Sequence, residues 1–161
     1  MIDKDQFCEY IREYENAMYF LALSILNNQS DAEEVVSESI FRAYQHLNTL
    51  KNNNAFQAWI LRIVHNTSVE LIRKNEKIIS VEELPVTAEI NHPDYTTKLT
   101  LQDAVASLNQ PYRTVVVLFY YEDFSTAKIA QITNTSIVTV RKQLSRARKM
   151  LREILKEDFN S

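Results

Sequence analysis

Apolar side chains recur along most of the chain at steps of three and four residues, the spacing that places them on one face of an α-helix. The stretch Ser30–Glu33 has the form of a capping box and predicts where a second helix starts. A first helix is predicted to end near Asn27, and its apolar face is Phe7, Ile11, Tyr14, Met18, Leu21, Ala22 and Ile25. The apolar face of the second helix is Val35, Val36, Ile40, Ala43 and Leu47.

Three asparagines at positions 52–54 then interrupt the pattern. A third helix is predicted to follow them and to end in Arg73-Lys74, with an apolar face of Phe56, Ile60, Ile63, Val64, Thr67 and Leu71. Three amphipathic helices are enough to enclose one core, so residues 1–75 are predicted to form a small helical module.

Residues 76–97 differ in composition. They contain Pro85 and Pro93, show no helical period and carry an acidic excess, which predicts a flexible linker. Fully extended, its 22 residues reach at most about 70 Å, so the flanking modules could lie far apart.

Helical periodicity resumes near Thr100. Ser125 is placed to cap a short helix through Thr133, and Ser136 to cap a last helix from Ile137 to about Lys156. The predicted fold is therefore all-α, with two small helical modules at 1–75 and 98–161 joined by the linker.

The composition excludes several classes of function. The chain has no glycine, and phosphate-binding loops and dinucleotide fingerprints need glycine where the backbone approaches the ligand. Its single cysteine, Cys8, excludes an internal disulfide and favours a reducing compartment; an ordinary helix position is favoured over a reactive thiol. No apolar run of about 20 residues and no signal peptide are present, so a cytoplasmic location is expected.

Charge is unevenly distributed along this net acidic chain. Residues 1–50 carry a net charge of −6, 51–75 of +3, 76–110 of −4 and 111–161 of +4. Between Arg141 and Arg152 there are six basic residues and no acidic ones. Such asymmetry indicates the sign of the partners that each segment attracts.

The basic residues near the end of the chain form one face of the last predicted helix. At 100° per residue they lie opposite the apolar arc, which is Val140, Leu144, Ala147, Met150, Leu151, Ile154 and Leu155. The basic face comprises Arg141, Lys142, Ser145, Arg146, Lys149 and Arg152, with Arg148 at its border. Solvated helix faces usually mix both signs of charge, so this face favours an anionic partner.

The preceding residues predict a helix-turn-helix. Small Ala130 lets two helices approach, and Asn134 stands where the turn needs a left-handed residue. Ile137 and Val140 are expected to pack the second helix on the first. The N-terminal side chains of such a second helix contact base edges in the major groove. Arg141 and Lys142 are then placed to reach guanine, and Thr139 and Ser145 to meet bases or phosphates.

Two stretches resemble extracytoplasmic-function sigma factors of the sigma-70 family. "LNQPYRTVVVLFYYEDFSTAKIAQITNTSIVTVRKQLSRARKMLREIL" is similar to their C-terminal DNA-binding region, and "DAEEVVSESIFRAYQHL…AFQAWILRIVHNTSVELIRK" to their N-terminal region. The resemblance implies a transcription initiation factor that binds core RNA polymerase and promoter DNA and is held by an anti-sigma factor. It assigns the −35 element to Thr139, Arg141, Lys142, Ser145, Arg146 and Lys149.

The same resemblance assigns two roles to the N-terminal module. The polymerase-binding residues would be Asp31, Glu34, Val35, Glu38 and Phe41 on the second helix. Melting of the −10 element would use a pocket for a flipped base, with counterparts at His46, Leu50 and Asn66. Further contacts are expected from Lys51, Asn54, Arg62, Arg73 and Lys74. Departures from the family pattern include Ser37, Glu70, Asn134 and Val138, and Val138 could alter how closely the last helix approaches the groove.

Alternatives remain at several positions. Asp31 and Glu33 could merely complement the dipole of a helix N-terminus, whereas a Mg²⁺ site would need ligands that converge in a cleft. Trp59 could stack on a base or pack in the core, and the core is favoured. No metal, cofactor or catalytic site is expected. The rival functions are a stand-alone helix-turn-helix regulator and, more distantly, a nuclease or recombinase that uses this module for targeting.

Overall fold

The structure, a computed structural model, describes residues 2–81 and 100–160, with side chains between 2 and 76 and between 100 and 156. Seven α-helices occupy this part of the chain, which confirms the predicted all-α fold. They are α1 (Lys4–Leu26), α2 (Gln29–Gln45), α3 (Phe56–Val81), α4 (Leu101–Ala106), α5 (Tyr112–Val116), α6 (Thr126–Thr133) and α7 (Ile137–Asn160). Short 3-10 turns at Leu47–Thr49 and Asn53–Ala55 lie between α2 and α3.

Helices α1, α2 and α3 form the N-terminal module around one core. Met18, Leu21, Ile60 and Val64 are fully buried in it. Phe56, at the start of α3, is also buried and stacks on Tyr10, with ring centroids 4.9 Å apart. Burying such aliphatic and aromatic side chains is the main favourable contribution to the stability of a domain of this size.

Two predicted helix boundaries are wrong. The second helix starts after Asn28, whose side chain accepts a hydrogen bond from the Asp31 amide at 2.9 Å, and not after Ser30. Asn27 adopts left-handed angles (φ 51°) and ends α1 at once, so the next residue is already in position to cap α2. Helix α3 continues through 76–81, which the sequence assigns to the linker, and no proline in this stretch opposes the helix. The remainder of the predicted linker, 82–97, lies outside the described residues.

The C-terminal module contains α4 to α7, and its helix starts follow the sequence pattern. Thr100 caps α4 through a capping box with Asp103, and Ser125 caps α6. A π-helical turn, Val117–Tyr121, follows α5 directly. One part of this module's core lies among α4, α5 and α7 and buries Val105, Leu108, Val116 and Ala147.

The two modules pack against each other. Helix α6 lies on α3, and α5 with the π-helical turn lies on the C-terminal half of α1. Helix α3 packs on α1 and α2 as well as on α6, and it has two buried arcs about 70° apart, one around Ile60 and Val64 and the other around Leu61 and Ser68. One hydrophobic cluster therefore runs through both modules.

Neither a membrane span nor a metal-binding cluster is found in the described parts of the chain. No helix within 2–81 and 100–160 combines the length and apolar character needed to cross a membrane. Over the same residues, no three His, Cys, Asp or Glu side chains are grouped where they could hold a metal ion.

Candidate nucleic-acid interface

The helix-turn-helix is built as the sequence predicts. Asn134 ends α6 with φ 57° and ψ 46°, and its amide donates to the carbonyl of Ala130. Ser136 then caps α7, accepting a hydrogen bond from the Thr139 amide at 3.1 Å. Asn tolerates left-handed angles better than other non-glycine residues, so the turn forms in a chain that has no glycine.

The two residues expected to pack α7 on α6 differ in burial. Val140 is fully buried, but Ile137 is 40 % exposed. Ile137 belongs to the first turn of α7 and lies at the edge of the buried arc of that helix, about 20° beyond Leu144. Val140 is therefore the residue that the structure buries between the two helices, and Ile137 is only partly covered.

The basic face of α7 is exposed to solvent along its whole length. Its exposed members are Arg141, Lys142, Ser145, Arg146, Lys149 and Arg152. Thr139 is only half-exposed, and its hydroxyl hydrogen-bonds the Ser136 hydroxyl at 2.8 Å. Of the six residues predicted to contact the −35 element, Thr139 thus has the least freedom to reach a base.

Arg148, at the border of this face, makes an intramolecular contact instead. Its Nε donates to the Tyr120 hydroxyl at 2.6 Å, and its guanidinium lies 5.5 Å from the centre of the Phe119 ring. Arg148 therefore fastens α7 to the π-helical turn and helps to orient the exposed basic face.

A second exposed surface runs along α3. Arg62, Asn66 and Arg73 are exposed and lie within an arc of about 40°, about 130° from the buried Leu61 and Ser68. Trp59 is at the edge of this arc; it is half-buried and packs on Phe56 with ring centroids 5.6 Å apart. The expected core role of Trp59 agrees with this packing.

The segment between α2 and α3 adds the remaining residues predicted for the −10 element. His46, Lys51 and Asn54 are exposed, and Leu50 is half-buried against the core. Asn52 accepts a hydrogen bond from the Asn54 amide at 3.0 Å and so fixes the turn that leads into α3. Lys74, near the end of the described side chains, is exposed as well.

Helix α2 presents an acidic stripe with one aromatic side chain. Asp31, Glu34, Glu38 and Phe41 lie within about 80° of one another, and Phe41 is 58 % exposed. Val35 had been predicted to share this surface, but it is 2 % exposed because it faces the core, so it cannot contact a partner in this structure.

Arg42 connects the acidic stripe to α3, a role that the sequence analysis did not identify. Its guanidinium bonds Glu38 at 3.0 Å and Glu70 at 2.7 Å, and these two hydrogen bonds raise the pKa of Arg42. The Glu38–Arg42 spacing of four residues was a usable signal in the sequence, whereas Glu70 is brought close only by the packing of α3 on α2.

Comparison with known proteins shows the family. The family description "Sigma-70 region 2" matches residues 10–78, and "Sigma-70, region 4" matches residues 98–151. RNA polymerase sigma factor SigV of Bacillus subtilis is 30% identical, over 93% of this chain and 92% of that protein. ECF RNA polymerase sigma factor SigW of the same organism is 29% identical, over 96% and 91%.

A solved structure shares the fold. The sigma factor RpoE from Bartonella quintana, in complex with the anti-sigma factor NepR, matches with a TM-score of 0.80 at 23% identity, over 96% of this chain and 98% of that one. The chain belongs to the sigma-70 family of RNA polymerase sigma factors, in the extracytoplasmic-function group. It is an initiation factor that associates with RNA polymerase and specifies promoters.

Proposed function

We propose that this sigma factor reads the −35 element with the exposed face of α7 and opens the −10 element with the α3 arc and the segment before it. The observation that carries the proposal is the continuous basic face that follows a complete helix-turn-helix. Arg141, Lys142, Ser145, Arg146 and Lys149 are the exposed candidates for base and phosphate contacts, with Thr139 in a supporting position.

The opened strand is assigned to the N-terminal module. Arg62 and Arg73 lie on the same side of α3, about 16 Å apart along its axis, and would each hold one phosphate of the strand, with Lys51, Asn54 and Lys74 at the two ends of the surface. His46, Leu50 and Asn66 would receive the flipped base, whose unstacking costs a few kcal/mol. Half-buried Leu50 would supply an apolar wall, and exposed His46 and Asn66 would supply hydrogen bonds.

The acidic stripe of α2 is the proposed surface for core polymerase. Asp31, Glu34 and Glu38 would meet a basic surface, and the exposed ring of Phe41 would bury apolar area at the centre of the contact. Because Glu38 is already paired with Arg42, we assign more of the attraction to Asp31 and Glu34.

The proposal extends to the setting in which the chain acts. We assign it a cytoplasmic location, a non-enzymatic role, and an anti-sigma factor as a further partner. The anti-sigma assignment is supported by the solved structure of the sigma factor RpoE, which shares this fold and is in complex with the anti-sigma factor NepR.

The test is run-off transcription by core polymerase, with and without the chain, on a promoter that the reconstituted holoenzyme selects from a randomised DNA pool. Parent protein should direct transcription, and Asp31→Lys with Glu34→Lys should abolish it together with core binding. The matched control reverses two exposed charges on α1, Glu9→Lys with Glu15→Lys, and should retain activity. Specific DNA binding by the isolated chain that core polymerase does not improve would contradict the proposal.

A further inference from the structure

The C-terminal end of α1 is capped by side chains of the other module. The carbonyls of Ser24 and Ile25 lie in the last turn, where a helix offers them no partner of its own. Gln110 Nε2 donates to the Ser24 carbonyl at 2.5 Å. The Arg113 guanidinium donates to the same carbonyl and, at 3.3 Å, to that of Ile25.

The charges at this contact are complementary. A helix C-terminus carries partial negative charge and favours a cation, but α1 has no basic residue in its last turn. Arg113 supplies that cation from the C-terminal module. Burial lowers the pKa of Arg113, yet arginine remains protonated at neutral pH.

Each capping side chain is held in position by its own module. Arg113 Nη1 also donates to the Leu108 carbonyl at 3.0 Å. Gln110 Oε1 accepts the Thr114 hydroxyl proton at 2.8 Å, which leaves the amide nitrogen directed at α1. The Thr114 and Ser24 hydroxyl oxygens lie 3.4 Å apart across the interface. Hydrogen bonds within the C-terminal module therefore fix the orientation of both side chains that cap α1.

We call the arrangement in which α6 touches α3 and α5 touches α1 the closed arrangement. In it, the distance between the two proposed DNA-binding surfaces is shorter than the distance between the two promoter elements. The −35 and −10 elements are named for positions about 25 base pairs apart, and at 3.4 Å per base pair they lie about 85 Å apart on a straight duplex. Axes of packed helices are about 8–10 Å apart, so the start of α7 lies within roughly 20 Å of α3. The modules must separate before both elements are read together.

We propose that the contacts of Gln110 and Arg113 with Ser24 and Ile25 form a latch that keeps the sigma factor closed and has to open for promoter binding. This inference rests on the proposed function. The basic face of α7 and the α3 arc are both exposed in the closed arrangement, so the latch opposes only simultaneous use of the two surfaces. A cleft of about 510 Å³ beside the latch, lined by Phe20, Leu23, Val117 and Tyr121 among others, leaves the seam between modules incompletely packed.

Gln110→Glu is the sharpest variant. It keeps the acceptor for Thr114 but replaces the donor that faces the Ser24 carbonyl with a negatively charged oxygen. Gln110→Ala removes the donor without adding charge and should act more weakly. Gln131→Glu is the matched control, because it adds the same charge at an exposed position of α6 outside the latch.

The conformational test uses the free chain and needs no polymerase. A spin label on the native, exposed Cys8 and a second on Glu153→Cys, exposed on α7, report the distance between modules. The parent should give one short, narrow distance distribution, and Gln110→Glu a broad, longer one, with an unchanged helix signal in circular dichroism. A distribution that Gln110→Glu leaves unchanged, or one that is already broad in the parent, would overturn the latch.

The functional test compares one promoter element with two. An isolated −35 duplex should bind Gln110→Glu holoenzyme and parent holoenzyme equally, which also shows that the C-terminal module is folded. A promoter with both elements should bind the variant holoenzyme more tightly, by about tenfold if the closed form predominates tenfold in the parent. A parent that fails on both DNAs would refute the proposed function, whereas equal binding of parent and variant to the two-element promoter would refute the latch alone.

Discussion

The two surfaces proposed to contact DNA are built in different ways. The −35 surface is one face of α7. Five of the six basic residues between positions 141 and 152 lie on it, the sixth is Arg148 at its border, and no acidic residue falls in that stretch. The −10 surface combines an arc of α3 with the segment before it, and its four basic residues are spread from Lys51 to Lys74. A duplex groove attracts concentrated positive charge, whereas an opened strand is held largely by base pockets and stacking. The density of basic residues along the sequence therefore predicts the −35 surface but not the −10 surface.

The largest expected effect concerns the concentrated surface. Arg141→Ala with Arg146→Ala should weaken binding of the holoenzyme to a −35 duplex by about a hundredfold, because each lost base or phosphate contact costs about 1–3 kcal/mol. Fluorescence anisotropy of a labelled duplex measures it. Arg152→Ala with Lys156→Ala removes the same charge from the far end of α7 and should have a much smaller effect. Equal losses in the two pairs would show that α7 acts only through its net charge.

The dispersed surface should respond less. Arg62→Ala with Arg73→Ala should weaken binding of the holoenzyme to a single strand carrying the −10 sequence by about tenfold, because each arginine is proposed to hold one phosphate. Binding of the −35 duplex should not change. If binding of the −35 duplex weakens to the same extent, the two surfaces do not bind separate promoter elements as proposed. Opening of the −10 region can be followed by permanganate reactivity of unpaired thymines.

In each module an asparagine with left-handed backbone angles ends a helix, so the two helix ends can be compared directly. Asn27→Ala and Asn134→Ala should each lower the free energy of unfolding by about 1 kcal/mol, because alanine tolerates left-handed angles less well than asparagine. Asn27→Gly and Asn134→Gly should not, because glycine adopts these angles without that cost. Urea unfolding measures all four variants. A loss in the glycine variants as large as in the alanine variants would mean that the asparagine side chains matter for another reason.

The smallest expected effect is a pH dependence of stability in the N-terminal module. Burial lowers the pKa of His65 below its ordinary value of 6.5, and its Nδ1 is buried without a hydrogen-bond partner. The unfolded chain therefore takes up the proton first, so stability is fully present above pH 6.5 and declines as the pH falls below it. His65→Asn should flatten this decline, and replacing the exposed His46 by Asn should not. An identical decline in His65→Asn would assign the effect to other groups.

Local patterns predicted the helices and the basic face because each depends on residues within a few turns of one another. The Ser136 cap, the Asn134 turn and the burial of Val140 are of this kind. The errors had other causes. The local pattern already placed Val35 on the apolar face of the second helix, and only the resemblance assigned it to the polymerase-binding surface. The start of α2 differs because two adjacent asparagines end one helix and cap the next. The latch had no signal in the sequence, since Gln110 and Arg113 meet α1 only after both modules have folded.

The cap on α1 also bears on the order in which the chain is made. Arg113 lies 89 residues after Ser24, so the ribosome completes the first helix well before it synthesises the arginine that caps it. At about 5–20 residues per second, this interval lasts roughly 4–18 s. During that interval the nascent N-terminal module has an exposed α1 end and has no C-terminal module to close against. The latch can therefore form only late in synthesis or after release.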